Sequence, residues 1–120
     1  MDIETYSRLA LRTAGDLGPT GDLIHAALLI TSEAGEVADV IKKHYAYGQP
    51  LDKLSLVEES GDLCWGINLL LQTIGVSWES VWLGNIAKLE VRYPGLVWTE
   101  EGAGDRDKEA EAIALAKALR

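Results

Sequence analysis

The chain has no phenylalanine, one cysteine, one methionine and three prolines among its 120 residues. A single cysteine, Cys64, excludes an intrachain disulfide, so stability must come from packing rather than cross-links. With no phenylalanine, four tryptophans and four tyrosines are the only large aromatic groups able to fill a core, cover an interface or stack on a ligand. Positive charge is scarce as well: eleven Lys and Arg stand against nineteen Asp and Glu, a formal net charge of −8. Such a balance argues against a nucleic-acid polymer as partner, because a bare phosphate backbone recruits clustered cations. Long apolar runs are missing too. The longest uncharged stretch, Leu63 to Trp78, spans 16 residues and contains two glycines, Asn68 and Gln72, too short and too polar to cross a bilayer. The opening residues, MDIETYSR, form no apolar signal region, and a cytoplasmic protein with no membrane partner is expected.

What is present describes a globular chain. Hydrophobic residues make up 48% and charged residues 25%, enough apolar surface for one packed core at this length. Apolar residues recur at three- and four-residue spacing and alternating runs are absent, which predicts an all-α class with five helical segments. The first runs from about Ile3 to Ala14 and ends in the turn cluster Gly15 to Gly21, where Pro19 and the glycines disfavour helix. A long segment then starts at Asp22 as N-cap and ends at Tyr47, with Gly48 supplying a left-handed C-terminal residue. A third follows Asp52, or a capping box made by Ser55 and Glu58, and ends near Gly75. A fourth opens at Ser77 and closes at Tyr93-Pro94-Gly95; Leu96 to Gly104 reads as a loop, and Asp105 to Arg120 as a charged, alanine-rich helix. The expected organisation is a single domain: residues 1–21 an N-terminal helix and loop, 22–94 the helical core that carries the chemistry, 95–120 a loop and C-terminal helix. The architecture predicted is a four-to-five-helix bundle around a central antiparallel helix hairpin.

That hairpin is where the sequence is unusual. At 100° per residue, Glu33 and Glu36 point with Ala26, Leu29, Val37 and Val40 and so interrupt an apolar face. Glu59 and Asp62 repeat the pattern, sharing a direction with Ser55, Gly66, Leu69 and Leu70. A carboxylate facing apolar neighbours is costly unless it is paired or bound to a cation. If the turn is centred between Tyr47 and Gly48, Glu33 comes level with Asp62 and Glu36 with Glu59; a centre between Gln49 and Pro50 shifts the register by about 6 Å, roughly one turn. Four carboxylates can thus converge, at a level that this choice of turn shifts by about one helical turn. Their mutual repulsion would raise some of their pKa values, and oxygen-only donor sets of this kind suit Mg²⁺, with Mn²⁺ as a substitute. Each pair alone also fits an ordinary exposed helix face; the two pairs in matched register are what point to a metal site.

Glu33-Ala-Gly-Glu36 followed by Glu59-Ser-Gly-Asp62 resembles the ExxE…ExxD signature of the MazG-like, all-α nucleoside triphosphate pyrophosphohydrolases. The connection Tyr47-Gly48-Gln49-Pro50-Leu51-Asp52 and the stretch from Asn85 to Pro94, which reads NxxKLxxRYP, are similar to those of the same family. The resemblance covers about Asp22 to Arg106. It implies hydrolysis of a nucleoside triphosphate between the α and β phosphates to a monophosphate and pyrophosphate, with Mg²⁺ as cofactor and Glu33, Glu36, Glu59 and Asp62 as catalytic metal ligands. It also implies a homodimer or homotetramer, which agrees with the apolar circumference of Leu23 to Ile30 and Ile67 to Leu71. A catalytically silent helical nucleotide-binding or interaction module of the same fold is the alternative.

Other groups take their places around this core. Asn85, Lys88 and Arg92 form a stripe within about 60° on the fourth segment; alone it reads as a solvated face, while the resemblance favours contacts to substrate phosphates. Lys43 falls near Glu36 on the wheel and can reach a phosphate or pair with an acid. Among the tryptophans, Trp65 is the first to consider for stacking on a nucleobase, and Trp98 the second, with Trp78 and Trp82 read as core or interface. Glu58 points about 100° away from Glu59 and is read as a capping or supporting carboxylate. Cys64 is expected in the core. His25 lies on the side of Glu36 but about three turns earlier, too far to be a co-ligand, and reads as a packing or surface histidine.

Overall fold

The protein, seen here in a computed structural model that describes residues 1–119, is helical throughout, and no strand occurs among the described residues. It divides into two compact units, Met1–Gly75 and Val76–Arg120. The first holds α1 (Ile3–Leu11), α2 (Gly18–Tyr47) and α3 (Lys53–Thr73). The second holds α4 (Trp78–Arg92), a 3₁₀ turn (Pro94–Leu96), α5 (Glu100–Gly104) and α6 (Lys108–Ala118). The all-α class is as expected.

In the first unit α1 starts under an Asp2 cap, whose carboxylate accepts from the Thr5 N–H at 2.7 Å, and stops at Leu11, three residues before the expected Ala14. α2 begins at Gly18 rather than Asp22. Pro19 does not disfavour this helix because it sits in the first turn, where its missing N–H would have no partner and its fixed φ is already helical. Asp22 is therefore not the cap. Its carboxylate reaches back to the Leu17 N–H at 3.3 Å, and Asp16 accepts from the Gly18 N–H at 3.0 Å. The other end follows expectation: Gly48 takes φ 64°, and the Gly48 and Gln49 N–H groups close on the Lys43 carbonyl.

Asp52 caps α3, accepting from the Ser55 N–H at 3.0 Å and the Ser55 hydroxyl at 2.9 Å, so the Asp52 cap forms and Ser55 serves it. The few residues from Gly48 to Asp52 leave no room for anything but an antiparallel α2–α3 hairpin. Gly66 is buried at its seam. A Cβ there would lie 3.1 Å from Ile30 Cγ1 and 3.3 Å from Leu29 Cδ2, so the glycine permits the close approach of the two helices. Gly66 opposite Leu29 and Ile30 matches the register expected for a turn centred between Tyr47 and Gly48. Ala26, Leu69 and Leu71 form the buried apolar centre of this unit. α1 docks on α3 through polar anchors one turn apart: the Asn68 amide, 1% exposed, donates to the Ser7 carbonyl at 3.2 Å, and the Trp65 indole N–H reaches the end of α1.

In the second unit Ser77 caps α4 as expected, accepting from the Ser80 N–H at 3.1 Å. The stretch from Leu96 to Gly104 is not simply a loop. Its start belongs to the 3₁₀ turn, and Thr99 caps the short α5 by accepting from the Gly102 N–H at 3.0 Å. Arg92 holds α5 in place, donating from Nε to the Gly102 carbonyl at 3.0 Å and from Nη2 to the Ala103 carbonyl at 3.2 Å. α6 starts at Lys108 under an Asp107 cap, later than the expected Asp105; the expected end at Arg120 lies outside the described residues. It packs on α4 and is pinned by Glu111, a carboxylate 3% exposed that takes a bidentate ion pair from Arg106.

Candidate metal centre and adjoining pocket

The hairpin register carries three acids to one point. Glu33 on α2 and Glu59 and Asp62 on α3 offer carboxylate oxygens that all lie within 4.8 Å of one another. Glu33 and Glu59 are half-buried and Asp62 is exposed, so the group opens to solvent on one side. Among the described residues no lysine or arginine forms an ion pair with any of the three. Burial, a hydrogen bond shared with Glu33 and the charges of Glu33, Glu58 and Glu36 push the Glu59 carboxyl above its ordinary value. Crowded carboxylates of this kind are what a bound positive charge relieves. A hard divalent cation fits the same place: the donors are all oxygen, they are close enough to share one ion, and they carry uncompensated negative charge.

Glu36, the fourth acid, lies outside this group. It is exposed one turn further along α2 and acts on Glu59 through its charge. Lys43 pairs with an acid, as one of its two expected roles, but the acid is Asp39 at 2.6 Å rather than Glu36; Lys42 joins from the other side at 2.5 Å, and together they hold the Asp39 carboxyl at about 2. Cys64 is exposed, not in the core, and lies near Tyr6 of α1.

Beside the acids lies a cavity of about 380 Å³ lined by Thr13, His25, Leu29, Glu33, Asp62 and Trp65. Trp65 is thus next to the acidic group, as the helical wheel placed it. Its indole N–H donates to Thr13 Oγ1 at 2.9 Å and to the Ala10 carbonyl at 3.2 Å, which fixes the ring. His25 packs on Trp65 with ring centroids 5.8 Å apart at 59°, the packing role expected of it, yet it also lines the cavity. The three turns that separate His25 from Glu36 are fewer turns from Glu33, and the imidazole leans toward α3. Thr13 and Leu29 were not anticipated. Nothing local marks Thr13, since its role exists only once α1 packs on α3.

In the second unit Asn85 is exposed and Lys88 half-buried on α4. Arg92 of the same stripe is committed to the α5 carbonyls and stacks over Tyr93 at 5.1 Å. Trp78 and Trp82 pack together with centroids 6.0 Å apart, and Trp98 is 66% exposed.

Compared with known protein families, residues 23–97 match the MazG nucleotide pyrophosphohydrolase domain. The chain belongs to that family. The matched segment takes in all of α3 and α4 and most of α2, hence every acid of the metal centre, while α1, α5 and α6 lie outside it. MazG domains are nucleotide hydrolases that use a divalent metal, and the acidic group supplies donors of the required kind. Among curated proteins and solved structures, none matches the chain. No helix among the described residues is long and apolar enough to cross a membrane.

Proposed function

We propose that the chain is a Mg²⁺-dependent nucleoside triphosphate pyrophosphohydrolase that cleaves between the α and β phosphates to release a monophosphate and pyrophosphate. The observation that carries this reading is the convergence of Glu33, Glu59 and Asp62 within a MazG domain. These three hold the cation, Mg²⁺ or Mn²⁺ in its place, and Glu36 completes the donor set from the next turn of α2. When bound, the cation offsets the charge of the triphosphate and acidifies a water for attack on phosphorus.

The chain's own part is positioning. Glu33 and Glu59, brought together across the hairpin, would present their carboxylates to the cation from its two helices. Asn85 and Lys88 are the groups assigned to the phosphates that the cation does not cover. Arg92, with Nε and Nη2 engaged, is given the task of holding α5. Lys43, held by Asp39, is a weaker candidate for phosphate. The Trp65 ring is assigned to the base. Apolar side chains left exposed on the hairpin, Leu28 at 66%, Leu54 at 79% and Val57 at 70%, support assembly into a homodimer or homotetramer.

The test is release of pyrophosphate from a panel of NTPs and dNTPs, each with Mg²⁺, Mn²⁺ and EDTA. Metal-dependent pyrophosphate with a matching monophosphate is the expected result. Orthophosphate as the product would mean a different bond is cut, and no product from any nucleotide would return the chain to the binding-module alternative.

A further inference from the structure

The segment before the matched family region builds part of the cavity beside the acids. Thr13, ten residues ahead of the family match, lines it directly, and α1 reaches it a second time through Trp65. The tie is specific. Trp65 Nε1 has one hydrogen, shared between Thr13 Oγ1 at 2.9 Å and the Ala10 carbonyl at 3.2 Å, while the Thr13 hydroxyl donates to that same carbonyl at 2.7 Å. The indole therefore has no donor left for a ligand and offers only its apolar surface. Asn68, one turn further along α3, repeats the attachment to Ser7, so α1 is fixed at two levels. The Leu29 side chain and the His25 ring, which packs on the indole with centroids 5.8 Å apart, line the same cavity, as do Glu33 and Asp62 of the cation site. At about 380 Å³ the cavity lies in the lower part of the range that holds small organic ligands. One aromatic wall, one aliphatic wall and an imidazole are what a planar heteroaromatic ring requires: a surface to stack on and one polar edge.

We infer that residues 1–14 complete a nucleobase pocket, in which Thr13 is a positioning residue that sets the Trp65 ring and His25 supplies the polar edge that reads the base. This rests on the nucleotide reading proposed above. Substrate selectivity then depends on a segment outside the family's matched core. Chains that keep the acids but differ in this segment would hold other bases.

The binding test needs neither metal nor turnover. The 120-residue chain in EDTA is titrated with uridine, cytidine, adenosine and guanosine, and the Trp65 indole N–H resonance, identified by its loss in Trp65→Phe, is followed by NMR. At least one nucleoside is expected to shift it in a saturable manner, with Thr13→Val weakening that nucleoside and Thr13→Ser restoring it. In turnover, Thr13→Val should raise KM roughly five- to tenfold with kcat within about twofold. A merely structural threonine would lower the melting temperature and leave KM alone, and that result overturns the inference. So does an indole resonance unmoved by every nucleoside. If Thr13→Val fails to fold, His25→Ala replaces it, and unchanged preference among the four bases then counts against the pocket. The two readings fail separately: saturable nucleoside shifts without hydrolysis of any triphosphate sink the hydrolase and keep the pocket, whereas hydrolysis with an unmoved indole does the reverse.

Discussion

Gly66 is the residue on which the geometry of the metal centre most directly depends, and replacing it separates packing from helix propensity. Ala is favoured over Gly inside a helix by about 1 kcal/mol. At Gly61, in the same helix, an added Cβ would meet nothing within 4 Å, so Gly61→Ala should collect most of that gain and raise the melting temperature by roughly 4 °C. At Gly66 the same methyl would stand 3.1 Å from Ile30 Cγ1, 3.3 Å from Leu29 Cδ2 and 3.5 Å from the Ile30 nitrogen. Two side chains on α2 and the α2 backbone itself must give way. Overpacking of this kind costs about 1–3 kcal/mol, so after the propensity gain Gly66→Ala should be destabilising by about 0–2 kcal/mol. The gap between the two variants, about 1–3 kcal/mol, is independent of the propensity scale, because both substitutions sit in α3. The consequence for the site is larger than for stability. Leu29 precedes Glu33 by one turn, and any outward shift of α2 at Leu29 and Ile30 draws Glu33 away from Glu59 and Asp62. Urea unfolding of both variants, alongside a Mg²⁺ titration followed by thermal denaturation, measures both effects. If Gly66→Ala is stabilised as much as Gly61→Ala and keeps its response to Mg²⁺, the close approach of the helices is not what assembles the acids.

The acidic group should make stability depend on pH and on metal together. The Glu59 carboxyl is raised above its ordinary 4.5, so the folded protein holds a proton that the unfolded chain has already released, and metal-free stability should fall as pH rises through and above that value. Mg²⁺ at tenfold over its Kd should restore about 1.4 kcal/mol near pH 7.5, roughly 5 °C, and much less at pH 5; Glu59→Gln should raise the metal-free melting temperature, abolish the Mg²⁺ response and cut kcat/KM at least about a hundredfold. A metal response that survives in Glu59→Gln would remove that residue from the site. Glu111 has the opposite sign: Arg106 first, then Arg92 and Lys88, hold its carboxyl below the ordinary 4.5, so its contribution is complete above that value and lost as pH falls through it. Glu111→Gln should unfold several degrees lower at pH 7 and lose much of the acid dependence seen by circular dichroism of the second unit's tryptophans, while an unchanged acid transition would show that the Arg106 pair does not pin α6.

The helices were legible because their signals are local. Three- and four-residue periodicity, Asp52 and Ser77 as caps and Gly48 as terminator each act within one turn, and each does in the structure what its chemistry dictates. Errors fell where two local signals competed. Pro19 reads as a breaker in a glycine-rich stretch, but a proline in a first turn costs nothing, and only the chain's direction on leaving Leu17 decides between the two. Thr99 is an N-cap type followed by two glutamates, a start signal passed over because α5 is five residues long and owes its stability to Arg92 rather than to its own propensity.

The site was legible to the extent that one hairpin contains it. Wheel direction and turn position are enough to place Glu33 against Asp62, and they also rank Trp65 as the nearest tryptophan. They cannot rank Glu36 against Glu33, because both point the same way and the choice depends on a fraction of a turn in register, of the order of the 1.5 Å rise per residue. In the structure α3 presents Glu59 and Asp62 together toward Glu33, and Glu36 stands a turn beyond and acts on Glu59 through its charge. The cavity beside them was illegible for a different reason. Its walls come from the turn after α1 and from α2 and α3, and Thr13 acquires meaning only when α1 packs on α3 and brings the Thr13 hydroxyl to an indole 52 positions away. A metal centre built from two adjacent helices can be read from spacing; a pocket that chooses among ligands is assembled from tertiary contacts, and for this chain those contacts begin outside the segment that identifies the family.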